Sequence, residues 1–309
     1  MRTVLLIPIL LLAGLAAVSF ATRDRAPHPN QYISAGTPGL LSAQAYLLPV
    51  TDPAYGSVRD TGVPDPALDA KAALLYDTDT GASLYEKNAA VRVPIASLTK
   101  ILSTLVVRDL FDQNEIVTVA SGSVRVDGQK QTLYDNERIT VHDLVSMMLV
   151  ESSNDAAYAL AAYAKSRGID FVTEMNRKAQ LLGMTDCVFT DPAGLDDTAS
   201  CTARDMVRLV RAALRNAPQI WPIMATKELK ITSVDGVIVH TVKSTDELLG
   251  QVPGIVGGKT GYTDGALGCL ILVVKVPEKG DTLISIVLGS RQRFTDSKAL
   301  LDWARHAYP

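Results

Sequence analysis

The sequence has few of the residues from which metal centres and disulfide frameworks are built. Three cysteines and four histidines occur among 309 residues. The cysteine spacings fit no zinc motif and no HExxH pair occurs, so the sequence gives no support for metal catalysis and predicts no cofactor. The chain also lacks a run of lysine and arginine, and its net charge is −3. This charge pattern argues against nucleic acid as a partner.

The first 21 residues have the composition of an export signal. Arg2 precedes an apolar run that ends near Ala21, and Ser19 and Ala21 supply small residues at the −3 and −1 positions of a cleavage site. The run also approaches the ~20 residues that span a bilayer. The sequence therefore predicts either a cleaved signal peptide or an N-terminal anchor over residues 1–21. In both cases the rest of the chain works outside the cytoplasm, and any membrane association runs through this segment alone.

The remaining chain divides into a linker and one domain. Residues 22–63 are rich in Pro, Gly, Ser and Asp without a sustained period, which predicts a linker or a poorly ordered N-terminus. Strand patterns then occur near residues 71–87 and again after about 227, with a mostly helical region between about 141 and 215 and a last helix over 296–308. We therefore predict an α/β (α+β) domain over residues 64–309, with an antiparallel sheet built from both chain ends and an inserted helical region.

The three cysteines permit one disulfide in an exported protein. Cys269 lies in the apolar strand pattern GCLILVVKV and is expected to be a buried free thiol. Cys187 and Cys201 enclose a short loop, and we predict that they form a bridge.

Ser97 and Lys100 share one face of a predicted helix that is otherwise apolar. Such a helix belongs in a protein core, where an ammonium group is costly unless it is paired or deprotonated. A desolvated lysine one turn from a serine can serve as the base that activates the hydroxyl. Because the sequence has no GxSxG elbow and no plausible Ser-His-Asp set, this pair is the candidate nucleophile and base. The apolar positions of the helix are Leu98, Ile101, Leu102, Leu105 and Val106.

Two further motifs complete a set. Ser152-Ser153-Asn154 lies at a predicted break between two helices, and Lys259-Thr260-Gly261 ends an apolar strand. Each is weak alone, since Asn154 fits a helix N-cap and Lys259 fits an exposed strand end. Together, in the order S-x-x-K, S-x-N, K-T-G, they match the active-site set of penicillin-binding proteins and serine β-lactamases.

The closer resemblance is to the low-molecular-mass penicillin-binding proteins, the serine-type D-alanyl-D-alanine carboxypeptidases. It covers roughly residues 64–308 and includes the segments FTDPAGLDD, GGKTGYTDGALGCL and VLGSRQRFTDSKALLDW. The resemblance implies a β-lactamase/penicillin-binding transpeptidase-like fold in the bacterial cell envelope. It also implies a role in peptidoglycan biosynthesis and cell shape, stem peptides as substrates, and β-lactam antibiotics as covalent inhibitors.

The same resemblance assigns roles to the motif residues. Ser97 would be the nucleophile, Lys100 its base, and Ser152 and Asn154 the proton relay and the orienting amide. The substrate would be bound by the K-T-G strand, with Lys259 fully charged, and by an arginine near the last helix. The oxyanion would be held by the backbone N–H groups of Ser97 and the residue after the motif. The substrate-binding set is Lys259, Thr260, Gly261, Tyr262 and Arg293.

Three alternatives stay open at this point. A D,D-endopeptidase would use the same site on cross-links. A class A β-lactamase needs a glutamate that activates the deacylating water, but FTDPAGLDDTAS lacks one and Glu174 lies too early. A non-catalytic sensor of peptidoglycan or β-lactams would keep the fold without turnover.

Overall fold

The computed structural model describes residues 58–120, 132–276 and 280–309. The predicted signal or anchor over 1–21 and the predicted linker as far as residue 57 lie outside the described residues. From Val58 onward the chain contacts the domain, since the Asp60 N–H donates to the Ala307 carbonyl at 2.7 Å. Within the described ranges, no helix has the length and apolar character needed to cross a membrane.

The described residues form eleven strands and seven α-helices. The strands are β1 (Ala72–Asp77), β2 (Ser83–Lys87), β3 (Val93–Pro94), β4 (Ile116–Thr118), β5 (Arg138–Thr140), β6 (Ser200–Cys201), β7 (Glu228–Thr232), β8 (Val239–Lys243), β9 (Ile255–Thr263), β10 (Leu267–Lys275) and β11 (Thr282–Ser290). The helices are α1 (Thr99–Leu110), α2 (Val141–Val150), α3 (Asn154–Ser166), α4 (Phe171–Leu181), α5 (Ala203–Asn216), α6 (Ile220–Met224) and α7 (Arg293–Ala307). A 3-10 turn, Ala96–Leu98, leads into α1.

The main sheet is built from both ends of the domain. Five antiparallel strands lie in the order β2-β1-β11-β10-β9, so the first strands pair with the last. All six residues of β1 are buried, because helices cover both faces of the sheet. Leu74 faces the large core that contains α1, and Leu75 faces the smaller core that contains Trp303 of α7. The predicted sheet from both termini with inserted helices is confirmed.

Helix α1 is the buried centre of the helical region. Nine of its residues are buried, including Lys100. Its polar start is tolerated only because the surrounding elements supply hydrogen-bond partners. The neighbouring helix α2 is capped by Thr140, since the Asp143 N–H donates to Thr140 Oγ1 at 3.0 Å and the Thr140 hydroxyl donates to the Asp143 carboxylate at 2.7 Å.

The segment before α1 is held by a short strand pairing next to a disulfide bridge. Strand β3 pairs with β6 through Val93 and Cys201. Cys201 is bridged to Cys187, with the two Cα atoms 4.1 Å apart, and Cys269 is a buried free thiol. Burial raises the pKa of Cys269 to about 11. Both cysteine predictions are confirmed. The last helix differs slightly, because it begins at Arg293, three residues before the predicted start.

Candidate active site

Ser97 lies in the 3-10 turn that precedes α1, pressed against strand β9. Ala96 has a positive φ of 48°, and the Leu98 N–H donates to the Ile95 carbonyl at 3.2 Å. A Cβ added to Gly261 would lie 3.0 Å from the Ser97 nitrogen. The glycine of the K-T-G motif therefore lets β9 approach the turn that presents the serine.

Lys100 is fully buried and surrounded by three acceptors. Its Nζ lies 2.7 Å from Ser97 Oγ, 2.6 Å from Asn154 Oδ1 and 2.9 Å from the Ala193 carbonyl. Burial, followed by repulsion from Lys259, lowers its pKa well below the ordinary value of 10.5. In the neutral form, two N–H groups still serve Asn154 and Ala193, and the lone pair faces the serine hydroxyl. In this arrangement Lys100 can accept the proton of the Ser97 hydroxyl.

The Ala193 carbonyl belongs to a loop that lies outside the three sequence motifs. The Asp191 carboxylate accepts the N–H groups of Ala193 and Gly194, each at 2.7 Å, and this turn directs the carbonyl to Lys100. The charge of Asp191 also raises the pKa of Lys100, against the effect of burial. An Asp-Pro-x-Gly stretch is a recognisable turn signal, but nothing in it names a lysine as partner.

Ser152 and Asn154 lie at the predicted break between α2 and α3. Ser152 has a positive φ of 65°, and Ser153 caps α3 by accepting the Ala156 N–H at 3.2 Å. Asn154 is therefore free of the capping task that the motif alone would allow it. Its Oδ1 accepts from Lys100, whereas its Nδ2 is buried and has no partner among the described residues. That amide is a donor available to a substrate carbonyl.

Lys259 occupies the opposite wall of the cleft. It is 1% exposed, and its Nζ donates to Ser152 Oγ at 2.8 Å and to the Thr260 carbonyl at 2.9 Å. Burial, then repulsion from Arg293, lowers its pKa to about 7, with Asp246 acting in the other direction. Burial therefore works against the ammonium form of Lys259, which the sequence predicts to stay charged.

The remaining predicted residues lie along and behind β9. The Thr260 hydroxyl is hydrogen-bonded to the Thr245 hydroxyl, and the Tyr262 side chain is 58% exposed at the end of the strand. Arg293 opens α7 against Gly268 of β10, and its Nε is buried without a partner in the parts of the chain described. Its charge acts on Lys259. The structure thus brings all nine predicted site residues to one region.

A serine bonded to a desolvated lysine at the start of a central helix, facing the edge strand of an antiparallel sheet, defines the penicillin-binding protein and serine β-lactamase class. Within that class, residues 59–292 match the family model described as D-alanyl-D-alanine carboxypeptidase, peptidase S11. The chain belongs to this family, which confirms the resemblance noted in the sequence.

Individual relatives agree with this membership. D-alanyl-D-alanine carboxypeptidase DacF of Bacillus subtilis is 30% identical over 256 residues, which are 78% of this chain and 64% of the relative. The chain therefore spans less than two thirds of that relative's length.

Solved structures share the fold. A D-alanyl-D-alanine carboxypeptidase from Mycobacterium tuberculosis matches with a TM-score of 0.73 and 30% identity, covering 82% of this chain and 97% of that one. Penicillin-binding protein D2 from Listeria monocytogenes, in an ampicillin-bound form, matches with a TM-score of 0.66 and 31% identity, covering 78% and 99%.

Proposed function

We propose that the protein is a serine-type D-alanyl-D-alanine carboxypeptidase that removes the terminal D-Ala from peptidoglycan stem peptides. The observation that carries this proposal is the 2.7 Å contact between Ser97 Oγ and the fully buried Lys100 Nζ. A serine hydroxyl becomes an effective nucleophile when a neighbouring base of matched pKa removes its proton. Membership of the S11 family supports the same activity.

Acylation follows from the positions of these groups. Neutral Lys100 takes the proton of Ser97 Oγ as that oxygen bonds to the carbonyl carbon of the penultimate D-Ala. The backbone N–H groups of Ser97 and Tyr262 stabilise the oxyanion. When the C–N bond breaks, the proton passes from Lys100 to the leaving nitrogen through the Ser152 hydroxyl. The Asn154 side-chain N–H donates to a carbonyl oxygen of the substrate, and its Oδ1 keeps Lys100 in place.

Deacylation reverses the roles. A water molecule bonds to the ester carbon while Lys100 accepts a proton from that water. The bond between the ester carbon and Ser97 Oγ then breaks, and Oγ takes the proton back from Lys100. The products are the shortened peptide acid and free D-Ala. The segment FTDPAGLDDTAS lacks the glutamate that activates the deacylating water in class A β-lactamases, so a penicilloyl-enzyme is expected to hydrolyse slowly and β-lactams to inhibit.

The cations around β9 select the substrate. Lys259 and Arg293, with the Thr260 hydroxyl, form a cationic pocket beyond the scissile bond that suits a terminal carboxylate. The carboxylate of a β-lactam would occupy the same place, and the ampicillin-bound form of the Listeria monocytogenes relative supports covalent inhibition of this chain. Carboxylate selection favours a carboxypeptidase over an endopeptidase.

The proposed setting is the bacterial cell envelope. An exported catalytic domain over residues 64–309 would meet peptidoglycan there, with residues 1–21 acting as signal peptide or anchor and residues 22–63 as a linker. The S11 family acts on cell-wall peptides, which supports this location.

The test is D-Ala release from a peptide that ends in D-Ala-D-Ala. The wild type should release D-Ala and Ser97→Ala should not, while both fold to the same melting temperature within a few degrees. No turnover by the wild type would leave the sensor alternative, rapid cleavage of cross-linked dimers would favour the endopeptidase, and multiple-turnover hydrolysis of penicillin would favour the β-lactamase.

A further inference from the structure

Asp197 joins two walls of the cleft that are far apart in sequence. One of its carboxylate oxygens accepts the Thr263 hydroxyl, and the other accepts the Gly265 N–H at 3.1 Å. Thr263 is the last residue of β9, and Gly265 lies in the turn between β9 and β10. Asp197 itself belongs to the loop closed by the Cys187–Cys201 bridge. Neither the motifs nor the family resemblance gave this aspartate a role.

The turn is built around that carboxylate. A Cβ on Gly265 would overlap Asp197 Oδ2, so the glycine lets the backbone approach the carboxylate without displacing it. Thr263 Oγ1, which donates to Asp197, also accepts the Ala266 N–H at 3.0 Å. The carboxylate, the threonine and two backbone N–H groups therefore form one connected network.

The position of this network relates it to the reaction. Tyr262, whose N–H is the proposed second oxyanion donor, immediately precedes Thr263. The loop of Asp197 also carries Ala193, whose carbonyl accepts from Lys100 at 2.9 Å. Asp197 thus connects the loop that supports the base to the turn that follows the oxyanion donor.

We propose that Asp197 is a positioning residue that holds the β9–β10 turn and thereby sets the Tyr262 N–H relative to Ser97. The proposal rests on the acyl-enzyme function given above. Asp197 acts through the turn and does not touch the substrate. Because Asp197 is exposed, its hydrogen bonds add little to global stability, so its removal should affect the reaction more than the fold.

Two variants separate hydrogen bonding from charge. Asp197→Ala removes both acceptors. Asp197→Asn restores both bonds if its oxygen accepts the Gly265 N–H and its amide donates to Thr263 Oγ1. Asp235→Ala is the matched control, because Asp235 also accepts a backbone N–H, that of Val237 at 3.0 Å, in the exposed turn between β7 and β8.

The readouts are the rate of acylation by penicillin, kcat and KM for the D-Ala-D-Ala peptide, and the infrared carbonyl stretch of the penicilloyl-enzyme. Asp197→Ala should lower acylation and kcat by on the order of tenfold to a hundredfold, at or below the effect of losing an oxyanion donor outright. KM should change little, and the carbonyl band should move to higher wavenumber as the hydrogen bond to the ester oxygen weakens. Asp197→Asn should recover most of the rate and the band position, and Asp235→Ala should match the wild type.

A wild-type rate and carbonyl band in Asp197→Ala would overturn the proposal. So would a loss of rate with an unchanged band, since that points to general destabilisation, or an equal loss in Asp235→Ala. Absence of any penicilloyl-enzyme in the wild type would instead overturn the proposed function, and the inference with it.

Discussion

At the scale of single residues, the site depends on two buried lysines that have different hydrogen-bond partners. Lys100 has three acceptors within 2.9 Å, and one of them is the hydroxyl it must deprotonate. Lys259 has two acceptors, and one of them is the Ser152 hydroxyl. Desolvation lowers the pKa of both. The same burial that makes Lys100 a base makes each lysine unfavourable for folding.

Replacing Lys100 by arginine tests the requirement for a neutral base. Arginine keeps the positive charge but does not deprotonate in a protein. Lys100→Arg should slow acylation by penicillin by roughly 10²–10⁴-fold, the usual loss of a general base. The measurement is the rate of covalent labelling, located at Ser97 by peptide mapping. Lys298→Arg, at an exposed position on α7, is the control, and near-normal acylation by Lys100→Arg would refute the assignment.

Lys259 should make stability depend on pH in a defined direction. Its pKa of about 7 in the folded protein lies below the ~10.4 of an unfolded chain. Between these values the unfolded chain binds more protons, so the free energy of unfolding rises with pH over this interval and the full penalty applies below pH 7. The penalty is on the order of 5 kcal/mol.

Lys259→Met removes this penalty. The variant should be more stable than the wild type at pH 6, and the difference should shrink as pH rises towards 10. Urea unfolding of both proteins across that range measures it, with Lys298→Met as an exposed control. A difference that does not vary with pH would contradict the buried cation described here.

At the scale of elements, the site depends on a close approach between a loop and a turn. Gly194 has a φ of 75°, and a Cβ there would overlap the Ala96 carbonyl next to Ser97. Gly236, in the β7–β8 turn, has nearly the same φ of 77° but no atom within 4 Å of an added Cβ. Substitutions at Gly194 and Gly236 therefore separate the effect of backbone strain from the effect of contact with the turn that carries Ser97.

Gly194→Ala should lower both stability and the acylation rate. Gly236→Ala carries only the left-handed backbone penalty of about 1–2 kcal/mol and should leave acylation unchanged. Thermal unfolding and labelling with penicillin provide the two measurements. Equal effects of the two substitutions on acylation would show that the Gly194 loop does not support Ser97.

The same scale shows what the sequence can and cannot predict. Helical periodicity and the S-x-x-K spacing predicted that Ser97 and Lys100 share one face, and the structure places them 2.7 Å apart. Asn154 and Ala193, the other partners of Lys100, are 54 and 93 residues away. The motif order identified Asn154 because its side chain is part of a pattern. A backbone carbonyl such as that of Ala193 has no residue-type signal, so only the folded loop reveals it.

Two features of the site depend on local packing that the motifs do not report. Ser153, not Asn154, caps α3, since a serine one position earlier already accepts the Ala156 N–H. Lys259 is 1% exposed, and this burial lowers its pKa to about 7, although the motif pattern alone would also fit an exposed strand end. Burial depth depends on tertiary packing and is not readable from a three-residue motif.

At the scale of the whole domain, the sheet brings distant segments to one cleft. Strand β9 lies at the edge of the sheet, and the 3-10 turn that carries Ser97 packs directly against it at Gly261. The loop between α2 and α3 then meets Lys259, although Ser152 and Lys259 are 107 residues apart. A sheet closed by strands from both ends of the domain, with the helices inserted between them, is what makes this convergence possible.

This convergence predicts the substrate class. In the proposed complex, Lys259 of β9 and Arg293 of α7 would lie beyond the scissile bond, where a carboxypeptidase substrate ends and an internal peptide bond continues. Loss of one hydrogen bond to a charged group is worth roughly 1.5–3 kcal/mol, or about a tenfold to hundredfold change in rate.

The central claim is tested most directly by comparing two forms of one peptide ending in D-Ala-D-Ala, the free acid and the C-terminal amide. Cleavage at the last bond is followed by mass spectrometry with the wild type and with Ser97→Ala. The wild type should cleave the acid at least about tenfold faster than the amide, and Ser97→Ala should cleave neither. Equal cleavage of acid and amide by the wild type would contradict a carboxylate-selective carboxypeptidase.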